Sequence, residues 1–290
     1  MLKALASAPR LRILELLSSH VYNLSEIASL LNMSMSTANL HINILEDAGL
    51  INSELHPASR GRQKISARAY DSVILNLARG RTEEEKEAAY TMPIGAYVDA
   101  RVTPTCGIAG ETGMIGLFDD PLSFFEPERV NAHLIWFYHG YLEYRFPNRV
   151  PEGCTLRNLQ LSMEICSEAP LHRHEWPSDI TVWINDVELG HWTCPGDFGQ
   201  QRGLLTPSWW ENWNSQYGLL KVWQVNGAGS YVDHQKISSV NLDDLKLHGQ
   251  PLISVKVGVK PDSKHVGGIN IFGRQFGNYP QDIVLRLSYH

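Results

Sequence analysis

Leu24–Leu50, LSEIASLLNMSMSTANLHINILEDAGL, reads as two helices, the turn between them and the stop after the second. Asn23 stands where a cap is needed. Glu26, three residues on, can reach back to complete a capping box, and Leu24, Ile27, Ala28, Leu30 and Leu31 give the first helix its apolar face. Asn32 and Met33 make the break, and Ser34 is placed to cap the second helix. Ala38, Ile42, Leu45 and Ala48 recur at spacings of three or four as one buried stripe, and Gly49 supplies the left-handed stop. The other face opens with Ser34, Met35, Ser36, Thr37, Asn39, Leu40 and His41. These side chains are mostly small or polar and uncharged, the kind that can approach base edges and phosphates.

Two amphipathic helices with a short turn occur in many proteins that never touch nucleic acid, so the neighbouring sequence decides. Ile51–Leu55 and Ile65–Tyr70 read as short strands around His56-Pro57-Ala58-Ser59-Arg60-Gly61-Arg62-Gln63-Lys64, a turn-rich tip with three basic residues. That is the pattern of a wing. The opening K-A-L-A-x-x-x-R-x-x-I-L-x-L-L (Lys3–Leu17) is followed by L-x-E-I-A-x-x-L-x-M-S-x-S-T-x-x-x-H-I-x-x-L-x-x-A-G-L-I (Leu24–Ile51) and then by the basic wing. In this order the first eighty residues or so resemble the ArsR-type winged helix-turn-helix regulators. The resemblance implies that residues 1–80 dock on double-stranded DNA. Ser34, Ser36, Thr37, Asn39 and His41 would then meet bases and backbone, and Arg60, Arg62 and Lys64 would meet phosphates or the minor groove. It also implies a homodimer built on the first and last helices of the module, reading half-sites about 34 Å apart. Leu2 to roughly Ser19 fits the first of these helices, in two pieces broken near Pro9, and Asp71 with Val73, Ile74, Leu77 and Ala78 fits the last.

The chain is 290 residues long with a formal charge of −6, which at first argues against a nucleic-acid partner. Split by segment, residues 1–80 hold eight Lys and Arg against six Asp and Glu, a balance of +2, and the remainder stands at −8. The acidity lies outside the reading head. No run of about eighteen apolar residues exists and the N-terminus carries no signal-peptide pattern, so the expectation is a cytoplasmic protein without a membrane partner. Cys106, Cys154, Cys166 and Cys194 are widely and irregularly spaced, with no CxxC pair. They are expected to be free, with a disulfide or zinc cage as the alternative.

Arg79–Ala89, RGRTEEEKEAA, is charged and poor in apolar residues, so 81–92 is expected to be a linker, helical if Thr82 caps Glu83–Ala89. From Pro93 on, short runs alternate with period two between Gly and Pro joints. Leu134–Tyr138, Tyr141–Phe146, Leu159–Ile165, Leu219–Val225, Leu252–Val259, Ile269–Phe272 and Ile283–Tyr289 read as strands, and Ile180–Ile184 turns through Asn185-Asp186 into Val187–Gly190 as a hairpin. The fold class expected is α+β multidomain: an N-terminal winged helix-turn-helix, then an all-β sandwich of jelly-roll type over 93–290. The strands around Tyr141–Trp192 are similar to galactose-binding-like sandwiches, though without a binding motif.

All eight tryptophans lie beyond residue 130. Trp183 and Trp223 sit in alternating strands and read as core. Three loop segments instead set rings beside polar side chains: His172, Arg173, His174, Trp176 and Asp179; Trp192 and Asp197; Trp209, Trp210 and Trp213. Rings plus bidentate acceptors suit a polyol, so a small-molecule site stands beside the alternative of packed structural loops. His172, His174 and Glu175 form an H-x-H-E cluster, but the recognition helix carries no cysteine, and metal sensing remains the alternative rather than the expectation. No nucleophile elbow, phosphate loop or metal-hydrolase motif is present, so neither an enzyme nor a cofactor is expected. The reading is a DNA-binding transcriptional regulator, a repressor, whose sandwich senses a small-molecule effector with a sugar as the first class. A sandwich serving only protein interaction or dimerisation is the alternative.

Overall fold

The computed structural model describes residues 1–17, 21–57, 62–70 and 86–290, and for 54–57, 62 and 63 the backbone only. The chain divides into two compact units, Met1–Ala78 and Arg79–His290.

In the first unit, α1 (Leu2–Leu5) and α2 (Ala8–Leu16) are separated at Ala6–Ser7, and Pro9 occupies the first turn of α2, where its missing N–H costs nothing. Arg10 joins the pieces, its guanidinium donating to the carbonyls of Ala4 and Lys3 at 2.5 and 2.7 Å. A two-residue strand β1 (Tyr22–Asn23) leads into α3 (Leu24–Leu30), then α4 (Met35–Asp47), β2 (Ile51–Pro57) and β3 (Arg62–Arg68). The sheet order is β1-β3-β2, antiparallel, with Pro57 opposite Arg62 at the far end of the wing. Ile13, Ile27, Ile42, Leu45, Leu50 and Ile51 close one small core. Leu30, expected on the apolar face of the first helix, is 57 % exposed instead, because a seven-residue helix turns only a narrow stripe inward. The helix expected from Asp71 lies outside the described residues.

The second unit is all-β. Its strands are β4 (Lys86–Met92), β5 (Asp99–Val102), β6 (Cys106–Ala109), β7 (Met114–Ile115), β8 (Leu134–Phe137), β9 (Gly140–Pro147), β10 (Leu156–Cys166), β11 (Ser178–Ile184), β12 (Val187–Cys194), β13 (Leu219–Asn226), β14 (Gly229–Val232), β15 (Gln235–Ser238), β16 (Leu252–Val259), β17 (Ile269–Phe272) and β18 (Ile283–Tyr289). One sheet has the order β12-β11-β16-β9-β5. The other is built on β10, which pairs with β13 on one side and, on the other, with β18 along its first half and β17 along its second. Alternate residues of both sheets meet in a single core: Leu159, Leu161, Met163 and Ile165 from β10, and Ile180, Val182, Ile184, Val255, Val257 and Tyr144 from the facing sheet. Trp223 is fully buried in it, whereas Trp183 alternates to the outer face and is only half-buried. The hairpin turn at Asn185-Asp186 has positive φ at both residues (48° and 63°), as a two-residue turn requires.

The linker expected over 81–92 is corrected in its second half. Lys86–Met92 is an edge strand, in register with β18 from Lys86↔Tyr289 to Met92↔Ile283, so residues 86–89 are not helical. Only its Ala88, Tyr90 and Met92 side pack on the core, and its outer side ends in charge, with Arg286 Nη1 on Glu87 Oε1 at 2.7 Å. An edge strand of this kind carries polar residues along its free side, which is why it reads as a solvated segment in sequence.

Candidate functional site

Local chemistry builds the exposed face of α4. Asn23 accepts from Glu26 N at 3.0 Å while Glu26 Oε2 accepts from Asn23 N at 2.8 Å, so the capping box fixes where α3 starts. Asn32 takes φ of 50° at the turn, Met33 N donates to Ala28 O, and Ser34 Oγ accepts from Thr37 N at 3.1 Å to start α4. At the other end Gly49, at φ of 69°, and Leu50 donate back to Glu46 O and Leu45 O. With Ala38, Ile42 and Leu45 turned inward, Ser34, Ser36, Thr37 and Asn39 stand exposed together. The hydroxyls of Ser36 and Thr37 both lie 2.8 Å from Ser34 Oγ, which gathers them over the first turn, where the helix presents unpaired N–H groups and partial positive charge.

His41 is set differently from the sequence expectation. It is half-buried, and its Nδ1 is closed off from solvent with no partner among the described residues, so that edge of the ring cannot contact a base. Met35 and Leu40, by contrast, are 49 % and 58 % exposed and add apolar surface to the same face, beside the polar residues expected to make the contacts. Lys64 is not a free cation: its Nζ meets Glu46 Oε2 of α4 at 2.5 Å and approaches Asn43 Oδ1 at 3.5 Å. Arg60 lies outside the described residues, and of Arg62 the backbone alone is described, opening β3. Because Glu46 already compensates Lys64, Lys64→Ala is expected to change the slope of log K against log salt by clearly less than the roughly 0.9 per released counterion that a phosphate contact gives. A full-unit fall in a salt-titrated mobility shift would place Lys64 on a phosphate after all.

The residues selected in the β-unit loops do not converge on one site. His172, at φ of 41°, packs on Gly199 and its Nδ1 lies 3.0 Å from Trp213 O. His174 sits 5.9 Å from Phe198, which stacks on Tyr217, and Arg173 covers Trp176 at 5.0 Å. Trp213 is 55 % exposed. Trp192 lies under Lys221 Nζ at 4.6 Å, and Trp209 Nε1 donates to Glu111 O. Two expectations are corrected outright. Trp210 is core, its Nε1 donating to Ser215 O and its ring packed edge-on against Phe276. Asp197 is fully buried, accepting from Ala169 N at 3.0 Å and Ser215 Oγ at 2.7 Å, so it ties loops together rather than facing a ligand. No group of three His, Cys, Asp or Glu among the described residues is arranged to hold a metal, the H-x-H-E cluster included.

Asp179 is the exception. It lies on the outer face of β11 yet is only 3 % exposed, because the segment between β16 and β17 folds over it: His265 N donates to its Oδ2 at 3.0 Å, and His265 Nδ1 lies 3.1 Å from its Oδ1. Thr193 Oγ1, across the hairpin, donates to Oδ1 at 2.7 Å. Beside it opens a cavity of about 410 Å³. Burial works to raise the Asp179 pKa, but the hydrogen bonds from Thr193 and His265, with His191 nearby, outweigh it and hold the carboxyl below its ordinary range.

Two other carboxyls go the opposite way. Burial pushes Glu168 up to about 7, against a hydrogen bond from Thr105, and pushes Asp197 up to about 6, against those from Ser215, Ala169 and Cys166. A carboxyl whose folded pKa lies above its unfolded one contributes stability that is present below the unfolded value and lost as pH rises through the folded value. The β unit is therefore expected to lose on the order of 3 kcal/mol for each of these carboxyls as pH rises from about 4 to about 8. Glu168→Gln should remove part of that slope. Tryptophan fluorescence reads this unit alone, since every tryptophan lies in it. Stability flat or rising over that interval would contradict both shifts.

Residues 8–53 match the family model described as bacterial regulatory protein, arsR family. A solved structure of a possible transcriptional regulatory protein (fragment 1–100) from Mycobacterium bovis is 28% identical to this chain, covering 24% of it and 70% of that fragment, with a TM-score of 0.22. The comparison with curated proteins finds no match. The galactose-binding-like likeness of the second unit is not supported by any of these. The N-terminal unit is an arsR-family helix-turn-helix, and the chain is a DNA-binding transcriptional regulator. No helix among the described residues is long and apolar enough to cross a membrane.

Proposed function

We propose that this DNA-binding regulator acts as a homodimeric repressor whose β unit senses a small molecule, a carbohydrate by class, and releases DNA when the ligand binds. The observation that carries the DNA half is the hydroxyl- and amide-lined first turn of α4, where Ser34, Ser36, Thr37 and Asn39 are exposed together. In a major groove these groups reach phosphates and base edges, Asn39 is the residue able to pair bidentately with adenine, and the exposed Met35 and Leu40 supply apolar contact to thymine methyls. The dimer reading rests on the exposed Leu2 and Leu11 of the N-terminal helices, 58 % and 49 % accessible. Sensing is supported by the size and closed core of the β unit and by the cavity beside Asp179. The unit is assigned binding rather than turnover.

Ligand and DNA are then linked: the effector loosens DNA only to the extent that it prefers the state that binds DNA poorly. The test is a salt-dependent mobility shift of the full-length protein on its own upstream DNA, with and without a panel of sugars and divalent metals. Specific binding released by a sugar is the expected result. Release only by zinc or a chelator would favour the metal-responsive alternative, and binding indifferent to every ligand would leave the β unit an interaction module.

A further inference from the structure

We infer that the cavity beside Asp179 binds a small hydroxylated oxyanion, a sugar phosphate or a sugar acid. The inference rests on the sensing reading above and gives it a site and a ligand class. The cavity lies on the outer face of the five-stranded sheet, where β11 and β12 pair Asp179 with Thr193 and Thr181 with His191. The segment after β16 forms its other wall with Lys260, Asp262, Lys264 and His265.

The donor and acceptor count selects the ligand. Asp179 is the buried acceptor, and its oxygens are already occupied by Thr193 Oγ1, the His265 ring and His265 N. It therefore acts as a post for the wall, with little left to offer a ligand. His265 is committed to Asp179 through its backbone N–H and its ring Nδ1, whereas His191, with its Nε2 3.9 Å from Asp179 Oδ1, is half exposed. Lys264 is exposed and makes no ion pair or hydrogen bond among the described residues. Lys260 is held by both oxygens of Glu188 at 2.9 and 3.0 Å, so it adds a donor with its charge compensated. The lining thus offers the Lys264 ammonium, the His191 ring and the compensated Lys260 against one uncommitted carboxylate, Asp262, and such donors suit an oxyanion. Asp262, which would repel the anionic end, is suited to accept a hydroxyl from the other end of a sugar. A volume of about 410 Å³ accommodates a single monosaccharide unit with its charged group.

The test is calorimetric titration of the full-length protein with glucose 6-phosphate, glucuronate, glucose and inorganic phosphate, paired with DNA release by the same compounds. The expected result is binding of one or both charged sugars, weakened about tenfold or more by Lys264→Ala and by His191→Ala. Both residues are exposed, so the fold survives their loss. Binding of glucose as tight as that of the charged sugars, binding of inorganic phosphate as tight as that of glucose 6-phosphate, indifference to both substitutions, or no binding by any probe each overturns the assignment. The two readings also fail separately. A charged sugar that binds here without releasing DNA upholds the site and removes the sensing reading, whereas release that persists in both variants upholds sensing and removes the site.

Discussion

Ser36→Glu is expected to abolish specific DNA binding, by on the order of a hundredfold or more, while leaving the protein as stable as before or slightly more so. Ser36 is the second residue of α4, exposed, with its hydroxyl 2.8 Å from the capping Ser34 Oγ. A carboxylate near a helix N-terminus lies against the positive end of the helix dipole and stabilises it by about 0.3–1 kcal/mol. The same carboxylate, if that turn enters a DNA groove, is brought against phosphates and must be desolvated there. The two effects have opposite signs, so a folding defect cannot imitate the loss of binding. Thermal unfolding and a mobility shift on the protein's own upstream DNA, run on one preparation, separate them. Unchanged affinity would show that another face of the N-terminal unit meets DNA.

Glu164→Ala is expected to cost about 3–5 kcal/mol in the β unit, the largest single-residue stability effect anticipated outside the apolar core. Glu164 sits in β10 at 1 % exposure. Its Oε1 accepts from Gly218 N and Asn278 N, both at 2.8 Å, and its Oε2 accepts from Tyr279 N at 2.9 Å. Removing the carboxylate strands those N–H groups in a dry interior, each at a cost of about 1–3 kcal/mol before relaxation. Glu164→Gln should recover only part of the loss, since one end of the amide is a donor and faces donors. Gly277→Ala tests the same joint from the other side: φ is 79°, and an added Cβ would lie 2.3 Å from Glu164 Oε1. Denaturant unfolding followed by tryptophan fluorescence reads all three. A midpoint for Glu164→Ala within error of the parent would mean that the loop opens and lets water replace the carboxylate.

How far each feature was legible in the order of residues depends on the distance over which its interactions act. The α3–α4 pair, its capping box, the Ser34 cap and the Gly49 stop close hydrogen bonds within three to five residues, so the residue types in order declare them. The strands Leu252–Val259, Ile269–Phe272 and Ile283–Tyr289 were likewise legible, because alternation with period two is a property of the strand itself. The I′ turn at Asn185-Asp186 was legible for the same local reason. Other features exist only once distant segments have met. Lys86–Met92 becomes a strand only because β18, nearly two hundred residues later, offers it an open edge. Trp210 and Asp197 look like ligand groups in a loop until Phe276 and Ser215 close over them. The Asp179–His265 post joins residues 86 apart, and the Glu164–Asn278 joint residues 114 apart. Nothing in either segment announces its partner, since pairing across a sandwich is set by which strands become neighbours when both apolar faces are buried at once. Local residue order was thus enough for the DNA-binding module and for the all-β character of the second unit. Which polar side chains of that unit bind inward and which are left for a ligand depends on the packing of the two sheets and on the loops that cover them.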